Sequence, residues 1–544
     1  MSDLFGIGTS ALQAFQRALA TTGNNVANVN TPGYSRQRVL LEERPGQFNG
    51  AGYVGSGVQV AGIQRLFDAL RAAELDDATA GSARLEAFSG IASGLSNLVA
   101  DEDLGLGAGL TRLTAALEDV ATDPTSQPAR QALLASLQGA VDMFRRMSTW
   151  LESQQQVVAQ GLRDGSSSIN TLSQGIADLN QRIVSASAGG QSPNDLLDAR
   201  ARLVNQLSEL VGVSTVQESN GALDVFVGSG QALVVGADAR PLSVARNSLD
   251  PERWDLVLGG AAITGQVSGG RLGGLLDAQA ELLGPARSEI GRIGATLALR
   301  VNEVNGQGLD LDGNAGGALL SAPQAVVRAA SANTGSATVS VAYADVGAFR
   351  ADEYLLAYDG SAWQLRSATT GTAIAMTGSG TPADPFRADG LEFVVGAGAA
   401  AGDRYLVQPF AAVARDLAVV ESDPRRIAAA DAGNTGGTGD NRNALRLAAV
   451  MSEGLLDGGR TSLDSANAAL VARLGSAAQQ ATLSSQAQQA LLDQASQAMA
   501  SVSGVNLDEE AANLVRYQQA YQAMSQVIQV ADSTFQTLLA ALRG

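Results

Sequence analysis

Cysteine, histidine and lysine are all missing from these 544 residues, and each absence removes a class of chemistry. Without cysteine there is no thiol nucleophile, no thiolate ligand and no disulfide framework. Without histidine the commonest general base is gone, along with nearly every zinc or transition-metal ligand set. Without lysine a serine–lysine enzyme is excluded. Residue type does not exclude a carboxylate-pair glycosidase, and a hard-cation site built from oxygens stays open. No catalytic, cofactor or metal site is expected.

Other scarcities bear on partners and location. Aromatics are only 4% of a chain that is 45% hydrophobic, so alanine, leucine and valine must do the packing, which favours long helical layers. All 36 basic residues are arginine, against 54 acidic ones, and the net charge of −18 argues against nucleic acid as a partner. The arginine-only usage fits a genome-wide compositional bias. No window approaches ~20 uninterrupted apolar residues, so no membrane span is expected. The opening MSDLFGIGTSALQAF has neither the basic region nor the apolar run of a secretory signal. The expectation is a chain that stays in the cytoplasm or is exported without a cleaved signal.

What is present is heptad spacing at both ends. Apolar residues recur at Phe5, Leu12, Phe15, Leu19, Val26 and Val29, in three- and four-residue steps interrupted only by Gly8 and Thr22. The stripe stops at NVNTPGY, where Asn28 and Asn30 suit a helix C-terminus and Thr31, Pro32, Gly33 and Tyr34 turn the chain away. At the other end Leu514, Tyr517, Tyr521, Met524, Ile528, Ala531, Phe535, Leu538 and Leu542 continue without a break. Asn506, three residues before Glu509, opens that helix as a cap, and Asp508, Glu509 and Glu510 suit its first turn. Two such stripes predict a pair of coiled-coil-like helices that face each other and copies of themselves.

Between them, the spacing predicts helix from about Ile63 to Ala188, with an Asp123-Pro124 start signal and a heptad line through Leu151, Val158, Leu162, Ile169, Leu172, Ile176, Leu179 and Ile183. Short β-type runs separated by glycine and Asn-Gly turns predict one small sheet over 213–267. Helix is predicted again over 273–304, and a second β-rich block over 322–410. The Ala-, Gln-, Ser- and Leu-rich stretch 462–502 predicts a long helix. The expected fold is therefore mainly α with β insertions. A terminal assembly domain takes 1–62 and 505–544. A helical bundle domain takes 63–321 and 411–504, with a β subdomain at 213–267. An inserted β-rich domain takes 322–410.

The string NNVANVNTPGYSRQ resembles the signature of the axial proteins of the bacterial flagellum, the rod, hook and hook-associated subunits, and SGVNLDEEAANLVRYQQAYQAMSQVIQVADSTFQTLL resembles their C-terminal end. DPTSQPARQALL, DARARLVNQLSEL, NEVNGQGLDLDG, YDGSAWQL, GDRYLVQPF and GDNRNALRLA extend the likeness over most of the chain. It implies a structural, non-enzymatic subunit at the junction between hook and filament, with hook protein or another axial protein as the alternative. The partners it implies are copies of the chain, hook protein, a second junction protein on the filament side and an export chaperone. It implies an extracellular place in the flagellum, reached by the flagellar type III pathway. The family often carries a histidine where Asn305 stands, and no role is expected to hang on that position.

Several residues carry a functional and a plain reading. Asp310, Asp312 and Asn314 match the first ligands of an EF-hand loop, but Ala315 and Ser321 stand where glycine and a bidentate glutamate are required, so a turn is expected. DLGLGAGL has no preceding strand and no lysine to make a phosphate loop. Asp76-Asp77 and Glu509-Glu510 suit solvent or a helix dipole better than acid–base work. Tyr517 and Tyr521 suit interface packing, and Asn24, Asn25 and Asn28 suit caps and inter-helix hydrogen bonds. The competing classes are a cell-wall hydrolase and a surface adhesin displaying the 322–410 insert. The end helices, marginal alone, are expected to fold as they dock, with early proteolysis near Arg17, Arg36 and Arg516.

Overall fold

The computed structural model describes residues 2–48, 52–103, 105–189, 192–433, 437 and 439–543. Helix α1 (Ser2–Ala27) leads through the NTPGY turn into an extended arm of β1 (Gln37–Glu43), β2 (Gln47–Phe48), β3 (Tyr53–Val54) and β4 (Val58–Arg65). Within it β1 runs antiparallel to β4, and β2 to β3. The arm reaches past the expected boundary at Ile63, because Ile63 pairs with Val39 and the strand continues to Arg65. Asp68 then caps α2 (Ala69–Val99), accepting from the backbone N–H groups of Leu70 and Arg71.

Three further helices complete the first half of the bundle: α3 (Leu106–Thr122), α4 (Gln127–Ser187) and α5 (Asn194–Leu210). The cap of α4 is Ser126, which accepts from the Ala129 N–H, not the expected Asp123. Its heptad line is buried along its length, from Leu151 through Val158, Leu162, Ile169 and Ile176 to Ile183.

The region expected to hold one small sheet holds two. β5 (Val213–Gln217), β6 (Leu223–Val227), β7 (Gln231–Val235) and β8 (Asp238–Ala239) form the first, and β9 (Leu242–Arg246), β10 (Trp254–Leu258) and β11 (Ala261–Ala262) the second. Pro241, with no N–H to donate, interrupts the ladder between them. Asn170 on α4 then holds Leu242 by both backbone groups, accepting from its N–H and donating to its carbonyl. The helix expected over 273–304 is α6 (Gly270–Asp277), a π-helical segment over 278–283, and α7 (Gly284–Gly306). Pro285 cannot donate the bond an unbroken α-helix needs there.

β12 (Gly308–Leu309) precedes the β-rich insert. There β13 (Val326–Ala329), β14 (Val339–Tyr343), β15 (Tyr354–Tyr358), β16 (Trp363–Ser367), β17 (Ala373–Ile374), β18 (Phe386–Ala388), β19 (Leu391–Val395) and β20 (Arg404–Gln408) make two antiparallel sheets. Their orders are β13-β20-β15-β16-β17 and β14-β19-β18. The chain returns through α8 (Val413–Asp416), β21 (Ala430–Asp431), which pairs with β12, and α9 (Arg442–Ser452), then through the long α10 (Leu463–Ser503) and α11 (Leu507–Arg543). The insert is fastened to the bundle by buried charges: Glu353 pairs with Arg253 and Arg287, and Gln408 donates to both Asp250 and Glu353.

One expectation about a single residue changes and another is met. Asn305 is fully buried, donates to the Gly317 carbonyl and accepts from the Ala428 N–H, so a structural role does rest on it. The Asp310 loop is a turn, with the Asp310 carboxylate accepting from the backbone of Asp312 and Asn314. The buried hydrophobic cluster runs continuously through the bundle and the insert, and among the described residues it includes nothing from α1 or α11.

Candidate functional site

Helices α1 and α11 pair antiparallel at one end of the molecule. Asn25 meets Glu510, the rings of Phe15 and Tyr517 lie 6.5 Å apart between centroids, and Gly8 lies directly against Ile528. A Cβ at Gly8 would come within 2.6 Å of the Ile528 side chain, so glycine permits the approach there. The arm lies along α1 with its base near Asn25, and Gly57 touches Ile7 and Ser10.

The fully buried line of α1 differs from the expected one. It consists of the small residues Gly8, Ser10, Ala11, Ala14, Ala18, Thr21, Thr22 and Asn25, and Phe5, Leu12, Phe15, Leu19 and Val26 are half-buried beside it. The reason is geometric: α1 lies between α11 and the arm, and two close neighbours leave room only for small side chains on the inner line. On α11 Leu514, Tyr517, Met524 and Ile528 are half-buried and Tyr521 is exposed. Phe535 and Leu538 are exposed at 44% and 48%, because α1 begins opposite the turn that precedes them. The Leu542 side chain lies outside the described residues.

A polar junction ties the pair to the bundle. Asn25 donates to the Gln37 carbonyl (2.9 Å) and to the Glu510 carboxylate (3.0 Å), and accepts from the Tyr34 hydroxyl (2.8 Å) and the Gln37 N–H (3.0 Å). Arg36 bridges Glu509 (2.5 Å) and Glu510 (2.7 Å), and its N–H donates to the carbonyl of Ser503 at the end of α10. On the bundle side Asp198 of α5 accepts from the Ser35 N–H (3.1 Å) and pairs with Arg65 at the end of β4 (2.6 Å). Burial opposes the charge on Arg36, yet Glu509 and Glu510 outweigh it and raise its pKa. For Arg65 burial wins over Asp198 and the pKa falls, and burial with nearby Asp198 pushes Tyr34 up to about 12.

The NTPGY residues supply the turn at this junction. Asn28 donates to the carbonyl and side chain of Asn24 and accepts from Thr31, closing the end of α1. Thr31, Pro32 and Gly33 are exposed, and Gly33 takes a positive φ of 73° against the stem of Arg202. Asn506 accepts from the N–H groups of Asp508 and Glu509, which is the expected cap. Glu510 departs from expectation: it is buried as the central acceptor of the junction, facing neither solvent nor the helix dipole alone. Sequence reasoning missed Ser35, Arg36, Arg65, Asp198 and Glu510. Glu510 at the head of a helix whose cap is already Asn506 was the available signal. Of the three arginines expected to be cut early, Arg17 and Arg516 are exposed, whereas Arg36 is held by two carboxylates.

Nothing in this arrangement resembles a reaction centre. Among the described residues no three carboxylates group as a metal site, and no helix is long and apolar enough to cross a membrane. A cleft of about 1410 Å³ opens beside the junction, lined by the base of the arm, the near ends of α2 and α10, and α5. What the geometry provides is a helix pair with apolar edges, fastened to the bundle.

The chain matches four family models: the flagella basal body rod protein over residues 5–34, the helical domain of flagellar hook-associated protein FlgK over 92–320, the D2-like domain of flagellar hook-associated protein 1 over 328–409, and the C-terminal model of the flagellar basal body rod FlgEFG proteins over 496–541. It is 33% identical to flagellar hook-associated protein 1 of Salmonella typhimurium over 555 residues, covering 99% of this chain and all of that protein. It is 30% identical to the protein of that name from Escherichia coli, again over 99% of this chain and all of the relative. The structure of the flagellar hook junction protein FlgK from Burkholderia pseudomallei superposes with a TM-score of 0.73 at 25% identity, over 79% of this chain and all of that one.

Proposed function

Because the chain belongs to the flagellar hook-associated protein 1 family, we propose that it is the structural subunit joining hook to filament, assembled helically with its own copies through α1 and α11. It is not an enzyme. The observation that carries the assembly role is the contrast in burial: the terminal pair stands outside the continuous core, with its large apolar residues half-buried or exposed. An apolar stripe left open in this way is completed by neighbours.

In this role the chain meets hook protein on one side and a second junction protein on the other. An export chaperone accompanies the monomer, and the flagellar type III pathway delivers it outside the cell. Residues 1–62 and 505–544 form the assembly domain, 63–321 with 411–504 the supporting bundle, and 322–410 the domain it carries. Support for the assembly surface comes from Phe5, Leu12, Phe15, Leu19 and Val26 on one helix and Leu514, Tyr517, Tyr521, Met524, Ile528, Phe535 and Leu538 on the other. Nothing favours a free adhesin, because buried ion pairs hold the insert against the bundle. Deleting the gene tests the role by electron microscopy of the cell surface. Hooks without filaments are expected, and filamented cells overturn the junction role.

A further inference from the structure

The arm carries the most exposed aromatic pair of the described residues: Phe48 and Tyr53 are 66% and 82% exposed, with ring centroids 5.5 Å apart. Val54 beside them and Leu40 and Leu41 further down are exposed as well. Nothing at the packing level requires two aromatic rings there, in a chain that has few of them. Exposed aromatic and aliphatic side chains on a two-stranded ribbon mark a contact surface.

The arm cannot satisfy this patch within its own chain. Its base, at Leu40 and Gly62, lines the open cleft beside α5. Its course alongside α1 carries Gly57 to Ile7 and Ser10, at the far end of the helix pair. From Leu40 to Phe48 the near-extended chain covers roughly 25 Å at ~3.3 Å per residue, so the rings lie at one end of the terminal layer and the cleft at the other. The cleft, at about 1410 Å³, has room for both rings. At its edge Arg202 is exposed with no ion-pair partner among the described residues, and Glu42 and Glu43 on the arm lack one too.

We propose that the Phe48 and Tyr53 rings of one copy enter the cleft beside α5 of the next copy, with Arg202 meeting Glu42 and Glu43 of the incoming arm. Plug and socket are different surfaces of the same chain, so the contact is heterologous and propagates from copy to copy, closing into a ring or continuing as a helix. The area selects this occupant. Two rings bury on the order of 300–500 Å², far below the ~1,600 Å² of a stable free complex. The contact therefore holds only between copies already aligned by their terminal helices. It rests on the assembly role proposed above.

The cysteine-free chain makes the test clean. Two strains' worth of protein, one carrying Tyr53→Cys and the other Gln206→Cys on the cleft wall, are co-expressed in cells deleted for the gene and treated with a short bifunctional maleimide. Crosslinked dimers are expected from isolated flagella and not from purified monomer, and Gln206→Cys alone gives none. Flagella that contain both chains and carry filaments, yet yield no such dimer, overturn the plug while leaving the junction role intact. Absence of the unsubstituted chain from flagella overturns both. As a second measurement, Phe48→Ser with Tyr53→Ser should leave the monomer's melting temperature unchanged and reduce filamented hooks at least several-fold. Unchanged filament number counts against the plug.

Discussion

Helices α4 and α11 carry the same three- and four-residue spacing of apolar side chains, and the structure puts it to opposite use. On α4 the line from Leu151 to Ile183 is closed by the rest of the bundle, and nearly every member is buried. On α11, among the described side chains, only Ala531 and Glu510 are fully buried, and the large residues stay half-open or exposed. Periodicity therefore says that a face is to be covered. Whether the cover comes from the same chain depends on what lies opposite, and among the described residues α11 packs against α1, a helix with a small-residue line. The half-open pair then needs something else to hold it in place, which is the polar junction of Asn25, Arg36, Glu510, Arg65 and Asp198.

The comparison breaks most sharply at Glu510. Glu510→Ala leaves Arg36 with the exposed Glu509 as its one remaining carboxylate and takes one acceptor from Asn25, and should cost about 3 kcal/mol, the low end for a broken buried pair, in the docking of the end pair. Hydrogen exchange should show lost protection in α1 and α11 with α4 unchanged, and a uniform loss across the chain would refute the separation of the two regions. The matching bundle change, Leu162→Ala, removes a fully buried side chain and should cost about 2–5 kcal/mol. Here protection should fall across α2 to α7 together, because their core is continuous.

Acidity sharpens the contrast within the bundle. Burial raises Asp76 from 3.8 to about 6, although Asn205 donates to it. The folded state thus holds this proton more tightly than the unfolded chain, so stability is greatest below the unfolded pKa and declines as pH rises between about 4 and 6. Asp76→Asn should flatten that decline and raise the stability at neutral pH by roughly 1–3 kcal/mol, read from thermal melting. An unaltered pH profile would place the sensitivity elsewhere. The smallest monomer effect is expected from Phe535→Ser with Leu538→Ser: within about 0.5 kcal/mol of the parent by thermal melting, but with loss of assembly measured by light scattering or filament counts.

The helices were the most legible part of the sequence, since a period of 3.6 shows in any long amphipathic stretch. The end of α1 at NTPGY and the cap at Asn506 were also legible, because turn and cap residues act within a few positions of themselves. The inner line of α1 was not. Hydrophobicity ranks Phe15 above Ala14 or Ala18, but the inner positions go to whatever fits between two close neighbours. The division of 213–262 into two sheets turned on one proline and one asparagine on α4, seventy-odd residues away.

By itself the sequence determined the helical character of both ends, the turn that separates α1 from the arm, the β-rich insert and the absence of histidine, cysteine and lysine chemistry. These follow from local propensity, periodicity and residue type. Only the tertiary structure decided which face of α1 is inside, that Glu510 is a buried acceptor, and that Asp198 joins the ends to the bundle. Asn25 and Glu510 lie 485 residues apart. A hydrogen bond acts over about 3 Å, and only the closed fold brings two such distant residues that near.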